Sequence, residues 1–379
     1  MPEGKFSGLN YATIYVWIGT FIVIIGVLWY WGLQVGKKTS NNNKMKAEYQ
    51  AVGLKSKSGG GSKIQQINSN DPKYNYPLKD YYIATSYNTC CAGDFQDSYV
   101  TLDPIAEILE SGARVLDFEI YSVDDKAVVA ASPYKSFNLK GTYNSLPIDD
   151  VLSQVASHAF AFPAPNPSDP LFLMFRIKSN RKDVYLPLAQ SIVSNFGSRL
   201  LDARYSFGGR GKSKFNVANT KLSDLQNQVI IIASQDNNNY AEDDNKFWEL
   251  VNISSYQSGT QFIRTYDAMY PANPQEFINL NKTNLCICLP DLSEINNNPS
   301  AIIQQNMGCQ MTAMSYQKLD QNMLYYINFF EDNGSAFVLK PERLRPKADK
   351  PLECPPPQNP ALSMAGKQHT LTGGFQITL

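Results

Sequence analysis

The run Tyr11–Leu33 (YATIYVWIGTFIVIIGVLWYWGL) contains no charged residue. As a helix it is about 35 Å long, enough to cross ~30 Å of hydrocarbon. Trp29, Tyr30 and Trp31 cluster at one end and Tyr11 stands at the other, as aromatics do at membrane interfaces. A cleaved signal peptide has a shorter apolar core and a small-residue cleavage site, and only QVGKK follows here. The expectation is a single transmembrane helix over residues 11–33, after a short flank of residues 1–10. Lys37, Lys38, Lys44 and Lys46 follow the span, whereas Glu3 and Lys5 are the only charged side chains before it. The positive-inside rule then places the rest of the chain on the cytosolic side. Sequons at Asn252, Asn281 and Asn333 would carry no sugar in that orientation.

Residues 34–72 read as a flexible linker, because TSNNNK and SKSGGGSK are polar and lack hydrophobic periodicity. From residue 73 the pattern changes. Short apolar runs, YYIAT, ARVLDFEIY, KAVVAAS, LFLMFRI, QVIIIAS, QMTAMSY and SAFVLKP, alternate with helix-like stretches such as PIAEILES, PIDDVLSQVASH and PLAQSIVSNFGSRLLDA. Strands alternating with helices indicate an α/β fold with a mostly parallel sheet. Seven or eight such units over residues 73–345 suit a (β/α)8 barrel of the TIM type, with its chemistry at the C-terminal strand ends. Residues 346–379 form a Pro-rich tail whose terminal LTGGFQITL offers a strand to a neighbour.

Composition narrows the function classes. Lys plus Arg and Asp plus Glu are both 34, so the basic excess that a phosphate-gripping nucleic-acid binder carries is missing. Of the six cysteines, Cys90-Cys91 and Cys286-Ile-Cys288 lack zinc-finger spacing and read as buried thiols, as do Cys309 and Cys354. His158 and His369 are the only histidines. One falls in a helix-like stretch and the other in the tail, so neither is placed for acid–base work at a strand end.

Three segments resemble the catalytic barrel of phosphoinositide-specific phospholipase C. They are YYIATSYNTCCAGDF (81–95), SGARVLDFEIYSVDDKAVVAAS (111–132) and NMGCQMTAMSYQKLDQNMLYYINFFEDNGSAFVLKPERLR (306–345). The resemblance implies a phosphodiesterase barrel in which one histidine deprotonates the inositol hydroxyl and another protonates the leaving oxygen. Calcium, or a basic side chain, stabilises the developing charge. Residue by residue, the histidine positions fall on Tyr87 and Ala131. Tyrosine, with an ordinary pKa near ~10, is a poor base at neutral pH, and alanine supplies nothing. Asn88 matches the family's amide ligand to the ion, and Asp117 and Glu119 match its carboxylates with their order exchanged. Lys178 stands where a further glutamate is expected, and an internal ion pair between Asp117 and Lys178 in the barrel mouth is the expected arrangement. Calcium is therefore expected to bind weakly or not at all, and no other cofactor is implied. Arg264, in FIRTYD, resembles the family's substrate-phosphate arginine. With Arg176, Lys178, Arg181 and Lys182 it could bind an anion or a phosphoinositide head group, unless the cluster is a solvated loop.

Three readings follow. The first is a catalytically silent barrel kept as a membrane-anchored scaffold, with the bilayer and capsid or other assembly proteins as partners. Its make-up is similar to that of proteins carried by large DNA viruses. The second is an active phosphoric diester hydrolase using Asp117 or Glu119 as base. The third is a head-group-binding module.

Overall fold

The computed structural model describes residues 11–53, 62–137, 140–206, 215–234, 236–237, 246–255, 259–293, 296–346 and 366–378. Its first element is α1 (Tyr11–Ala51). The barrel then follows in chain order. β1 (Tyr81–Ser86) leads through α2 (Asp103–Glu110) to β2 (Val115–Val123), β3 (Lys126–Ala130) and β4 (Leu146–Pro147). Next come α3 (Ile148–Ala159), β5 (Leu171–Ile177), α4 (Tyr185–Phe196), β6 (Val229–Ala233) and β7 (Val251–Ser254). The last part holds β8 (Thr260–Arg264), α5 (Thr265–Met269), α6 (Pro274–Thr283), β9 (Leu285–Leu289), α7 (Ala301–Asn306), β10 (Met311–Met314), α8 (Gln321–Asn333) and β11 (Phe337–Leu339).

Strands pair in the order β7-β6-β5-β2-β1-β10-β9-β8, and every pair along this path is parallel. The result is a nearly closed eight-stranded parallel barrel. The seam lies between β7 and β8, which only residues 255–259 connect, too few for the helical crossover that parallel neighbours require. Helices cover the outer face, so the strands are buried on both sides and read as near-continuous apolar runs. Leu171–Ile177 is buried at every position.

Two apolar runs expected as barrel strands have other partners. β3 turns back antiparallel on β2, and β11 lies antiparallel against Tyr81–Ile83 of β1. Three true barrel strands, β7, β8 and β9, are short or interrupted by polar residues and Cys, and the apolar-run reading passed over them.

The expected linker over 34–72 differs most from the structure. α1 does not stop at Leu33 but continues to Ala51. Asn42, Met45 and Tyr49 share one helical face, at spacings of three and four, and all are buried. Asn42 donates to Asp103 and accepts from Thr101 Oγ1 at 3.0 Å. Lys46 pairs with Asp103 at 3.5 Å, and Tyr49 donates to the Tyr316 carbonyl at 2.9 Å. Residues 62–67 form a strap at the opposite end of the barrel. Lys63 N donates to Glu331 at 2.6 Å, Gln65 N to Gly334 O at 3.0 Å and Ile67 N to Asp169 at 2.7 Å. Ile64 packs over Gly112, whose φ of +87° suits glycine and where a Cβ would come within 2.7 Å of the Ile64 side chain. Polar composition concealed a helix and a strap that bury few but well-spaced apolar groups. The GGG core of the supposed linker lies outside the described residues.

Residues beyond Arg345 form a separate unit. In it, β12 (Gln368–Thr370) and β13 (Gln376–Thr378) make an antiparallel hairpin, with Gly373 and Gly374 at positive φ in the turn. Most of the Pro-rich stretch, with Cys354, lies outside the described residues.

Because docking depends on a small contact, Met45→Ala is expected to release the second half of α1. Limited proteolysis of the full chain in detergent should then cut within residues 38–53 at least several-fold faster than in the unmodified protein. Equal rates would mean that this stretch is already undocked.

Candidate functional site: an arginine-filled barrel mouth

Asp117 and Glu119 lie two apart on β2 and point the same way, into the barrel mouth. Met174, Arg176 and Lys178 alternate in the same manner on β5 and its end. The β2–β5 register sets Glu119 beside Arg176. Arg176, Asp117 and Glu119 are all fully buried. The Arg176 guanidinium donates through Nε to Asp117 Oδ1 at 2.8 Å and through Nη2 to Asp117 Oδ2 at 2.7 Å, a bidentate pair. Nη1 donates to Glu119 Oε1 at 2.6 Å, and Nη2 also reaches Asn88 Oδ1 at 2.6 Å. Four of its roughly five N–H groups are thus committed. Its plane is covered by the Tyr87 ring, 4.4 Å from the guanidinium carbon.

The remaining carboxylate lone pairs are also engaged. Asp117 Oδ2 accepts from Asn88 N at 2.9 Å, and Glu119 Oε2 from Ser132 N at 2.9 Å and Tyr121 OH at 2.8 Å. Asn88 itself has φ +46°, a left-handed turn that asparagine tolerates better than most residues. Burial disfavours the charged guanidinium. Asp117, Tyr87 and Glu119 outweigh that penalty and hold its pKa well above the ordinary value. No open volume remains among Asn88, Asp117 and Glu119.

This arrangement corrects two expectations. Arg176 does not belong to a solvent-facing anion cluster: it is spent on the two carboxylates and the amide. Nor does Lys178 pair with Asp117. Lys178 is buried and pairs with Asp236 at 3.2 Å, and Arg264 Nη2 lies 3.9 Å from the same carboxylate. Burial pushes the Asp236 carboxyl up, but Lys178, Arg176 and Arg264 together hold it below its ordinary range. Arg264 also donates to Pro290 O at 2.8 Å. Arg181 is paired with Asp125 and, at 2.8 Å, with Asp183. Asp236 was not foreseen, and in sequence only its place just after the QVIIIAS strand could have flagged it.

The two histidine positions offer no acid–base group. Tyr87 is wedged between Arg176 and Phe95, whose rings meet edge-on at 5.4 Å. Burial pushes its hydroxyl up to about 12, against the pull of Arg176. Ala131 is buried, and its carbonyl accepts from Gly141 N at 2.8 Å. His158 sits on α3 against Gln154 O, and His369 in the C-terminal hairpin. The residues that match the family's calcium ligands do not fit that ion, because a guanidinium fills the space their oxygens face. What opens at the mouth is a cleft of about 480 Å³, lined by Lys135, Asp236, Arg264 and Leu292.

Comparison with known proteins agrees with the barrel. The model of the phosphatidylinositol-specific phospholipase C X domain matches residues 74–235, and that of the Y domain residues 225–343. "Inactive phospholipase C-like protein 1" of Homo sapiens is 23% identical over 310 residues, covering 71% of this chain and 27% of that protein. The Drosophila melanogaster "1-phosphatidylinositol 4,5-bisphosphate phosphodiesterase classes I and II" is 31% identical over 140 residues, covering 36% of this chain and 10% of that protein. The chain therefore spans about a quarter or less of these curated relatives. The crystal structure of L. pealei PLC21 superposes with a TM-score of 0.60 at 20% identity, covering 75% of this chain and 39% of that one. S. officinalis PLC21 gives 0.59 at 21% identity, covering 76% and 39%.

Arg176→Met removes the charge and keeps most of the volume. It leaves Asp117 and Glu119 buried without their cation, a change that costs about 3–5 kcal/mol. Thermal melting at neutral pH should show a drop of several degrees. A shift below a degree would mean that the guanidinium adds nothing net to the fold.

Proposed function

The chain belongs to the phosphatidylinositol-specific phospholipase C family, and we propose that it keeps the family barrel without the chemistry, as a membrane-anchored structural module. The observation that carries this reading is the buried Arg176, locked to Asn88, Asp117 and Glu119 beneath Tyr87. Each lost acid–base group costs about 10²–10⁴-fold in rate, and two are missing. The alternative in which Asp117 or Glu119 acts as base needs a carboxylate with a free lone pair facing substrate. Both are fully buried, with each oxygen already accepting. The 23% identity to a relative named as inactive points the same way.

Anchoring is the second part of the proposal. Tyr11–Leu33 supplies a span, and α1 carries straight on into the docked face at Asn42, Met45 and Tyr49. On this reading α1 is a bracket and not a tether. The barrel has the bilayer and neighbouring assembly proteins as partners, as in a virus particle or its inner membrane. The head-group-binding reading has one observation in its favour, the cleft beside Lys135 and Arg264. Asp236 weakens it. Arg176, Lys178 and Arg264 face Asp117, Glu119 and Asp236, so these six groups sum to zero charge and attract an anion little.

Full-length protein in mixed micelles with phosphatidylinositol should show no turnover above blank, with or without calcium. A Tyr87→His, Ala131→His double variant should stay silent while Arg176 is present. Turnover by the unmodified chain that disappears with Asp117→Asn would establish a hydrolase. In purified particles or membranes, a structural module should be present at stoichiometric and not trace levels.

Orientation has a usable reporter. Asn252 and Asn281 are buried, so neither sequon can be glycosylated in the folded barrel. Asn333, at the end of α8, is exposed. Expression in a glycosylating host should leave Asn333 bare and the barrel open to protease added to sealed cytosolic-side-out vesicles. Sugar at Asn333 with protease protection would place the barrel on the other side.

A further inference from the structure

On the barrel wall next to β1, β9 and β10 lie side by side with Ile287 opposite Met311. Cys286 therefore sits opposite Gln310, and Cys309 one step before it. With strands ~4.8 Å apart and a rise of ~3.3 Å per residue, their Cα atoms are about 6 Å apart. That falls within the range of roughly 4.4–6.8 Å that a disulfide spans. The sulfurs already touch, with Cys286 Sγ 3.4 Å from Cys309 Sγ. Both residues are fully buried, in a small apolar cluster with Cys288, Ala268 and Phe277 between the sheet and its helices. Polar neighbours are close. Asn281 Nδ2 donates to Cys309 Sγ at 3.8 Å, and the buried Lys340 ammonium donates to Asn281 O at 3.1 Å.

We propose that Cys286 and Cys309 are a redox pair that a peroxide closes into a disulfide joining β9 to β10. One thiolate attacks the O–O bond, giving a sulfenic acid and hydroxide, which takes up the released proton as water. The second sulfur attacks the sulfenic sulfur, the S–S bond forms and a second water leaves. Two thiols are oxidised, and one peroxide is reduced to two waters. In the resting protein the contact with Cys286, together with burial, holds the Cys309 thiol well above its ordinary pKa, with Lys340 working against them. Cys309 therefore rests as a thiol, and because both sulfurs are fully buried, reaction depends on a small oxidant entering. A bulky oxidant such as glutathione disulfide reacts more slowly. The bond ties β9, which carries β8 and Arg264 at the open end of the sheet, to the interior strand β10.

The test is a cysteine map of the full-length chain in detergent after hydrogen peroxide. The expected product is about 2 Da lighter, with the Cys286 and Cys309 peptides linked and a melting temperature raised by several degrees. Cys286→Ala should abolish the link and leave Cys309 open to alkylation, whereas Cys288→Ala should keep the link. The unmodified protein alone is decisive if a variant fails to fold. Free thiols at both 286 and 309 after treatment, a link from Cys288, or a link between chains would each overturn the pairing.

Discussion

A guanidinium buried between two carboxylates is the constraint around which the barrel mouth is built. Taking Arg176, Asp117 and Glu119 out of water carries a penalty of several kcal/mol per ion, and only close geometry with complete hydrogen bonding offsets it. Here the geometry is close. Arg176 makes four hydrogen bonds of 2.6–2.8 Å to Asp117, Glu119 and Asn88. The acceptors come from β2 and from the turn after β1, and the donor from β5, so one side chain fixes three neighbouring segments of the wall. None of the three could be exchanged alone without leaving a buried charge or a buried acceptor unpaired.

The same interaction decides what the mouth can do. An oxygen cage that holds a guanidinium has no room for a metal ion, and its cation cannot leave or exchange. Next to it, the buried Lys178 pairs with the partly exposed Asp236, and Arg264 shares the Asp236 carboxylate. Charges that would draw in a phosphate are thus answered from within the chain. The missing histidines and the filled cage bear on different requirements of the family's reaction, and both support the proposal of a silent barrel.

How much of this was legible in sequence depended on periodicity. The barrel was legible because parallel strands buried on both faces appear as apolar runs, as LFLMFRI does at Leu171–Ile177. Apolar runs do not reveal direction, so β3 and β11 passed for barrel strands although both are antiparallel additions. β9, reading LCICL, has cysteines where the other strands have aliphatic residues, so its apolar run is weak. The motif resemblance singles out Asn88, Asp117 and Glu119, whereas the charged neighbours after Arg176 make it look like part of an exposed cluster. Its strand phase held the missing signal: it is two residues from Met174 and from Lys178, so it shares their inward face. The helical reach of α1 was obscured in the same way, since Asn42, Met45 and Tyr49 mark a single face within a stretch whose composition suggested a linker.

The mouth and α1 are joined by one piece of chain. The loop from Tyr87 to Asp103 begins with the ring over Arg176 and the amide that accepts from it. It ends with Thr101 and Asp103, the groups that receive Asn42 and Lys46 of α1. Between them the loop is pinned to itself and to its surroundings: Thr101 N donates to Cys90 O at 2.8 Å, Cys91 bridges Val100, and Val100 N reaches Asn144 at 2.9 Å. Its first residues lie against the buried guanidinium and its last residues seat a helix. The segment that borders the filled mouth is therefore also the footing for α1.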